Sequence, residues 1–230
     1  MDLLTRGLDS PIIPRCTVVN VCVPTLKRYD LLANLLRSLN AGYLRPTAVY
    51  IINNGLDKDA LFTAVKETID CPVKILTPKK NLGVSASWNW FIRNVAEDRV
   101  IVNDDVTFAP ESLEMIAKTQ GDFVSALRHT NACSCFKISD ICVRKVGYFD
   151  EKISPGYAYF EDCDYGERLK LKNVPITSVE CGVMHGDEHG GSKTKAAYTR
   201  EEHEDHHRRF QIAKDNFQLK WGFLPHGMGA

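Results

Sequence analysis

The sequence predicts an α/β protein whose central sheet is mostly parallel and carries helices on both faces. Predicted strands and helices alternate through the first half of the chain. The strands at 17–23 and 48–52 are nearly continuous apolar runs, which is typical of parallel strands buried on both faces. Polar clusters follow the first, second and fourth strands, at the edge where ligands bind in such sheets.

The first half of the chain supplies most of the predicted sheet. Its strands are rich in β-branched residues and end at proline, Asn-Gly or acidic residues. They are expected at 17–23, 48–52, 73–76 and 99–102. The helices between them have apolar residues at helical spacing. They are expected at 30–39, 59–69 and 85–94, with Asp30 as the N-cap of the first.

The strict alternation ends after Pro110. Further strands are expected at 123–127, 135–139 and 177–183. Further helices are expected at 110–118, 160–172 and 198–220, the last charged on every side and therefore a solvated surface helix. We expect one domain over residues 17–222, with an N-terminal extension (1–16) and a C-terminal tail (223–230).

The charge balance narrows the class of partner. The chain has 230 residues, with 29 Lys and Arg against 29 Asp and Glu, so its formal net charge is zero. This balance disfavours nucleic acid as a partner and gives no attraction to an anionic membrane. No apolar run is long enough to span a membrane, and the N-terminus lacks the pattern of a signal peptide. A soluble cytoplasmic protein with reduced cysteines is therefore expected.

Two adjacent acids, Asp104 and Asp105, follow the fourth predicted strand. Adjacent carboxylates at the end of a buried strand repel each other and are costly to desolvate unless a cation neutralises them. Their hard oxygens suit Mg²⁺ or Mn²⁺, which in turn binds a diphosphate. The alternative, from these residues alone, is a solvated loop in which one acid caps the following helix.

A second acidic group, Glu161, Asp162 and Asp164, lies at the start of a predicted helix. Asp164 and Arg168 are four residues apart and can pair on one helix face, which Asp162 does not share with Asp164. A carboxylate left free at Asp162 could accept a proton from a hydroxyl group. The alternative is an acidic cluster that complements the helix dipole.

Together these motifs resemble the glycosyltransferases of the GT-A fold, specifically family 2 and its rhamnosyltransferase-like members. The resemblance covers roughly residues 17–222 and depends on the order and spacing of the motifs rather than on any one of them. The motifs are VPTLKRYDLLANLLRSL, IINNG, NLGVSASWN, VNDDV, VGYFDEKISPGYAYFEDCDYGERLK, VMHGDEHGGS and KWG.

The resemblance implies a reaction and its cofactor. A sugar would move from a nucleotide-diphosphate donor (a UDP-, dTDP- or GDP-sugar) to an acceptor hydroxyl, expected to be that of a glycan. Mn²⁺ or Mg²⁺ would be bound by Asp105 and His185, although Asn103 replaces the first acid of the usual metal motif. Asp162 is the implied general base, and one base without a nucleophile implies inversion at the anomeric carbon.

The resemblance also assigns residues to the two substrates. The implied donor-binding residues are Pro24, Thr25, Arg28, Asn54, Asn81, Gly83, Asn89, Asp104, Ser192 and Lys193. Asn54 stands where the family often carries an acid, so the nucleotide base stays open. Glu161, Tyr157 and Tyr159 are placed on the acceptor side. The glycines between 186 and 191 suggest a loop that closes over the donor.

Other classes of protein fit the same residues less well. A sugar-phosphate nucleotidyltransferase needs a glycine- and arginine-rich loop after the first strand, and here the loop is VPTLKRYD, without glycine. A non-catalytic carbohydrate-binding protein of the same fold is disfavoured because Asp104, Asp105 and Asp162 are all present. The H-E-x-x-H pattern at 203–207 matches a zinc-protease motif, but its charged surroundings and lack of a third ligand argue against that class.

Overall fold

The computed structural model describes residues 18–66, 68–96, 99–127, 133–186 and 198–225. Its strands are β1 (Asn20–Thr25), β2 (Ala48–Asn53), β3 (Val73–Leu76), β4 (Arg99–Val102), β5 (Val106–Thr107), β6 (Phe123–Ser125), β7 (Cys135–Ile138), β8 (Ile176–Ser178) and β9 (Met184–His185). Its helices are α1 (Tyr29–Asn40), α2 (Lys58–Val65), α3 (Val84–Asn94), α4 (Ser112–Lys118), α5 (Asp140–Val146), α6 (Glu161–Leu171) and α7 (Arg200–Trp221).

Within the described residues, seven strands form one sheet in the order β3-β2-β1-β4-β7-β6-β8. β1 is parallel to both β2 and β4, β2 is parallel to β3, and β6 is parallel to β8. β7 is antiparallel to its neighbours β4 and β6. The predicted class, an α/β protein with a mostly parallel sheet, is therefore confirmed.

Successive residues of a strand point to opposite faces of the sheet. Because both faces of β1 carry apolar side chains, helices cover the sheet on both faces. Val21 and Val23 of β1 pack in an apolar cluster with Leu32 and Leu36 of α1. Cys22, between them, packs in a second cluster with Phe91 of α3. This two-sided burial explains why the strands are continuous apolar runs.

Helix α7 forms a third apolar cluster with the segment that leads into α6. Phe217 of α7 packs there against Phe160. The N-terminal part of α7 is attached to the loop after β1 by an ion pair between Glu202 and Lys27. Near its C-terminal end, the Trp221 indole donates to Asp164 Oδ1 at 3.0 Å. The helix is thus attached at one end to the loop after β1 and at the other end to α6.

The predicted strand at 177–183 is wrong in its extent. β8 ends at Ser178, which pairs with Ser125, the last residue of the three-residue strand β6. Among the described residues, β6 does not continue past Ser125 to pair with residues after Ser178. The chain therefore leaves the main sheet after Ser178. It then pairs as β9 with β5 in a separate antiparallel ladder.

Two further expectations about helices need correction. Arg28 occupies the N-cap position of α1, and Asp30 lies inside the first turn, where its carboxylate accepts hydrogen bonds from Arg28. Helix α5 was not predicted at all. Its sequence signal is Ser139, whose hydroxyl accepts a hydrogen bond from the Cys142 amide as an N-cap.

The sequence analysis expected reduced cysteines and no segment that spans a membrane. The cysteines at 22, 71, 133, 135, 142, 163 and 181, which are those of the described residues, are free thiols. Among the helices described, none combines the length and the apolar character needed to cross a bilayer.

Candidate active site

A cavity of about 420 Å³ opens at the carboxyl ends of β1, β2 and β4. It brings together residues that are far apart in the sequence and that were predicted to form the site. The predicted residues that line it are Pro24, Thr25, Asn54, Asn81, Gly83, Asp104, Asp105, Tyr157, Tyr159, Glu161, Asp162 and His185. Both acidic groups therefore face one space, as the family resemblance implied.

Asp104 lies buried directly after β4. Its Oδ2 atom accepts a 2.7 Å hydrogen bond from the hydroxyl of Thr25, the last residue of β1. Burial raises the pKa of the Asp104 carboxyl to about 7; the charge of Asp105 adds to the shift, and the bond from Thr25 opposes it. Two neighbouring strand ends thus fix this carboxylate in an environment that disfavours its charge without a cation.

Asp105 and His185 are brought together by the small β5–β9 ladder. Val106 pairs with His185 in that ladder, and the Gly186 amide donates to the Asp105 carbonyl at 3.1 Å. The Nε2 atom of His185 lies 3.2 Å from Asp105 Oδ1. The Nδ1 atom of His185 is buried without a hydrogen-bond partner among the described residues.

These two side chains could supply part of the ligand set of a divalent cation. The phosphates of a bound molecule would supply the rest. Among the described residues, no group of three or more His, Cys, Asp or Glu side chains has the geometry of a metal site. Mg²⁺ and Mn²⁺, however, are commonly held by one or two protein groups together with substrate phosphates. The converging oxygen of Asp105 and nitrogen of His185 supply such a partial set of ligands.

Glu161 and Asp162 begin α6 after a strained turn. Tyr159 and Phe160 have φ values of 94° and 65°, in the left-handed region that aromatic residues rarely adopt. Strain of this kind costs on the order of 1–3 kcal/mol per residue and concentrates at functional sites. Here the packing of Phe160 against α7 holds the turn, which places the two acids at the cavity.

The environment of the Glu161–Asp162 pair favours a bound proton. Burial raises the pKa of the Glu161 carboxyl, and the neighbouring Asp162 raises it further. Burial also raises the pKa of Asp162, while a 2.7 Å hydrogen bond from the Cys163 amide to Asp162 Oδ1 opposes the shift. Glu161 Oε2 is buried without a partner among the described residues. A raised pKa suits a group that must take up a proton near neutral pH.

Asp164 has a different role from its two acidic neighbours. Its side chain is completely buried, and its Oδ2 accepts a 2.9 Å hydrogen bond from Arg168, as the i,i+4 spacing predicted. Its Oδ1 accepts from the Trp221 indole and lies 2.7 Å from the Lys220 ammonium. Asp164 is therefore a structural carboxylate that attaches α7 to α6.

Tyr157 and Tyr159 line the cavity and contact one buried histidine. The Tyr157 hydroxyl lies 2.9 Å from His206 Nδ1, and the Tyr159 hydroxyl lies 3.5 Å from His206 Nε2. His206 belongs to the H-E-x-x-H segment, whose outer histidines, His203 and His207, are exposed. The residue of this segment that contributes to the cavity wall is therefore His206, through its contacts with the two tyrosines, and not the pair His203 and His207 of the protease pattern. The expectation of a helix that is charged on every side and fully solvated is wrong, because His206, Ala213 and Phe217 of α7 are buried.

Asn54 and Gly83 hold the loop before α3 in place. Asn54 is buried; its amide donates to Ser87 at 3.0 Å and accepts from the Leu82 backbone at 2.9 Å. A Cβ atom on Gly83 would lie only 2.3 Å from the Tyr157 backbone nitrogen, so glycine allows the two loops to touch. Both residues line the cavity, but the side-chain groups of Asn54 are engaged in these bonds.

Not every predicted donor-binding residue reaches the cavity. Asn89 is buried and bonds to the backbone of Phe149 in both directions, at 2.9 Å each. Arg28 is directed to Asp30 at 2.6 Å. Neither residue lines the cavity, because each has a structural partner elsewhere. Ser192, Lys193 and most of the predicted closing loop lie outside the described residues.

The cavity also contains residues that were not predicted as site residues. They are Leu26, Val84, Trp88, Asn103, Cys133, Ser134, Ala158 and Tyr198. The Trp88 indole nitrogen is buried without a hydrogen-bond partner among the described residues, which leaves a donor beneath the cavity. Trp88 belongs to the motif NLGVSASWN, so the segment was recognised although this residue was not.

Comparison with known proteins defines the class of fold. Residues 20–130, just under half of the chain, match the family Glycosyl transferase family 2. A mannosyltransferase from Pyrobaculum calidifontis, PcManGT, solved with GDP-Man and Mn²⁺, is 15% identical over 90% of this chain and 65% of its own, with a TM-score of 0.59. At this identity the likeness establishes the fold.

A second solved structure gives the same result. TarS 1-349 from S. aureus, in complex with UDP-GlcNAc, is 14% identical over 87% of this chain and 66% of its own, with a TM-score of 0.58. The chain thus spans about two thirds of the length of these two proteins. No curated protein matches the sequence.

The sheet and the structural likeness show that the chain has the GT-A fold. The family match over residues 20–130 and the structural likeness confirm the resemblance to family 2-like glycosyltransferases. The matched segment contains β1 to β4, whose carboxyl ends carry Thr25, Asn54 and the acid pair Asp104–Asp105.

Proposed function

We propose that the protein transfers a sugar from a nucleotide-diphosphate donor to an acceptor hydroxyl, with inversion at the anomeric carbon. The observation that carries this proposal is that two acid pairs, Asp104–Asp105 and Glu161–Asp162, face one cavity at the carboxyl edge of the sheet. One pair suits the charged end of a donor, and the other suits the removal of a proton. The family match over residues 20–130 supports the same reaction class.

Asp105 and His185 would hold a divalent cation, Mn²⁺ or Mg²⁺, in this proposal. The bound cation would neutralise the negative charge that develops on the departing diphosphate. Asp104, fixed by its 2.7 Å bond from Thr25, would accept a hydrogen bond from the ribose. Pro24 and Asn81 complete the donor side of the wall.

Asp162 would act as the general base. It lines the cavity, is half-buried, and has a raised pKa that favours proton uptake. As the acceptor oxygen bonds to the anomeric carbon, the bond to the diphosphate breaks on the opposite face and the hydroxyl proton passes to Asp162. This single displacement inverts the configuration and requires no covalent intermediate with the protein.

Glu161, Tyr157 and Tyr159 would form the acceptor side. Glu161 is buried with one carboxyl oxygen unpartnered among the described residues, so a hydroxyl group could satisfy that oxygen. The two tyrosines present aromatic faces on which a sugar ring could pack, and their contacts with His206 fix their positions.

The cost of this arrangement favours an enzyme over a carbohydrate-binding protein of the same fold. Binding a neutral sugar needs hydrogen bonds and aromatic faces, but it needs neither two acid pairs at one cavity nor a strained turn. Here both are present at one cavity. Their combined cost is understandable if one pair holds a cation and the other removes a proton.

The test is a thermal-shift and calorimetry panel of UDP-, dTDP- and GDP-sugars, each with and without Mn²⁺. GDP-Man and UDP-GlcNAc, the ligands of PcManGT and TarS, are the first donors to try. One donor should raise the melting temperature with concentration, and only with the cation present. Slow hydrolysis of that donor would indicate catalysis. A protein that binds none of these donors, or binds one without ever hydrolysing it, contradicts the proposal.

A further inference from the structure

A second cavity, of about 680 Å³, adjoins the first one. The two cavities share four lining residues, Leu26, Asn81, Tyr157 and Tyr198. The second cavity is lined neither by the acids of the two pairs nor by His185. It is therefore a separate space that communicates with the proposed site of sugar transfer.

The N-terminus of α3 forms part of the wall of this second cavity. α3 has 11 residues, and its N-cap, Gly83, has no side chain that could cap the helix. The first helical amide, that of Val84, donates to the Tyr157 carbonyl at 2.7 Å. The next two residues, Ser85 and Ala86, line the second cavity. Amides in the first turn have no partner within the helix, and the helix dipole adds positive potential there.

Ser85 supplies an independent indication of a ligand. It lines the second cavity and is only 2% exposed, yet its hydroxyl has no hydrogen-bond partner among the described residues. A buried hydroxyl without a partner is costly, and the large majority of buried polar groups in folded proteins have at least one hydrogen-bond partner. A ligand oxygen at the start of α3 would satisfy this hydroxyl.

The charged side chains around the second cavity determine whether it favours a positively or a negatively charged ligand. Its acids have basic or amide partners: Glu202 pairs with Lys27, and Asp205 accepts from Arg209 at 2.6 Å. Glu151 accepts a 2.8 Å hydrogen bond from Asn89. Lys80, an exposed lysine, also lines the cavity. The helix N-terminus and Lys80 together favour an anion.

We propose that the second cavity binds an oxyanion group, a phosphate or a carboxylate, carried by the acceptor. The start of α3, the Ser85 hydroxyl and Lys80 form the binding site. The acceptor would extend past Asn81 and Tyr157 into the first cavity, where its hydroxyl meets Asp162. This assignment rests on the proposed function, because it reserves the first cavity for the donor. It narrows the acceptor from any hydroxyl compound to an anionic one.

The experiment uses inorganic phosphate as the probe, titrated into the full chain by calorimetry. Ser85→Ala should weaken phosphate binding roughly tenfold, since it removes a hydrogen bond to a charged group. Lys80→Ala should weaken it roughly threefold, because that ammonium is exposed and partly screened. Lys79→Ala is the matched control: Lys79 is the neighbouring exposed lysine, does not line the cavity, and should leave the affinity unchanged.

Two further arms separate the possible sources of the anion. Phosphate should still bind to the Asp105→Ala variant, and it should still bind when a nucleotide diphosphate and Mg²⁺ saturate the wild type. If the nucleotide diphosphate displaces the phosphate, the second cavity belongs to the donor and the assignment to the acceptor is wrong. Equal affinities for wild type, Ser85→Ala and Lys80→Ala also overturn the site. These titrations involve no sugar transfer, so they remain decisive if the proposed reaction fails.

Discussion

The Oδ1 atom of Asp105 lies 3.2 Å from the Nε2 atom of His185. This contact depends on the two-residue ladder β5–β9, which lies outside the main sheet. The ladder fixes the histidine against the acid before any ligand binds. In the proposed reaction, the cation therefore meets two ligands that are already in place.

The first prediction concerns Asp105. Asp105→Ala should abolish binding of the nucleotide diphosphate in the presence of Mn²⁺, because it removes the anionic ligand of the cation. The fold should survive, since removing one acid relieves repulsion with Asp104. Calorimetric titration with Mn²⁺ and nucleotide diphosphate, with circular dichroism as the check on folding, measures both effects. Asp70→Ala, which removes an exposed acid, is the control. Wild-type affinity in Asp105→Ala would disprove the assignment.

The second prediction separates Asp162 from Asp164. Asp162→Asn should lower kcat by roughly a hundredfold to ten-thousandfold and leave donor affinity nearly unchanged, as expected for a lost general base. Asp164→Asn should instead lower the free energy of unfolding by about 3 kcal/mol, because the fully buried carboxylate is removed and the half-buried guanidinium of Arg168 loses its counter-charge. Kinetics and urea unfolding of both variants test this contrast.

The stereochemistry of the product gives an independent test of the same base. A single displacement should invert the anomeric configuration, which NMR coupling constants report. Retention, or near-normal turnover in Asp162→Asn, would rule out both the base and the mechanism.

The third prediction concerns pH and Glu161. Burial raises the pKa of its carboxyl in the folded protein above the ordinary value of 4.5. The folded state therefore binds more protons than the unfolded state as pH rises above that value, and the free energy of unfolding should fall until the native carboxyl has also ionised. Glu161→Gln should reduce this fall between about pH 5 and pH 8. Urea unfolding across that range measures it, with exposed Glu204→Gln as the control.

The fourth prediction compares two glycines. A Cβ atom on Gly83 would lie 2.3 Å and 2.6 Å from the nitrogen and oxygen of Tyr157, and its φ of 79° is unfavourable for alanine. Gly83→Ala should cost more than about 1 kcal/mol of stability and weaken donor binding. Gly166, in the interior of α6, has no atom within 4 Å of the place that a Cβ atom would occupy, so Gly166→Ala should stabilise by about 0.5–1 kcal/mol. Thermal unfolding of both variants decides the comparison.

The strands in the first half of the chain and the polar clusters after β1, β2 and β4 could be predicted because they depend on local patterns, whereas the other predicted cavity residues came from the family resemblance. Apolar runs identified β1, β2 and β4, and the polar residues after these strands necessarily meet at one edge. The pairing of Asp164 with Arg168 followed from helix geometry alone. Such features need only the period of a strand or helix and the direction of a parallel sheet.

Other features depend on contacts between distant segments and left no local signal. Asn89 and Arg28 match family motifs, yet neither lines the first cavity: Asn89 bonds to the Phe149 backbone and Arg28 to Asp30. The left-handed turn at Tyr159 and Phe160 contains no glycine that would have predicted it from the sequence. Packing of Phe160 against α7 stabilises the conformation instead. The second cavity likewise forms only when α7 lies beside α3, so no single segment encodes it.

The two attachments of α7 differ in their exposure to solvent. Lys27 and Glu202, at the end beside the cavities, are 41% and 34% exposed, whereas Asp164 at the other end is fully buried. Raising the ionic strength from 0.1 M to 1 M shortens the screening length from about 10 Å to about 3 Å, which weakens exposed pairs far more than buried ones. Concentrated salt should therefore weaken the Lys27–Glu202 attachment far more than the attachment at Asp164, while the contacts of buried His206 with Tyr157 and Tyr159 persist.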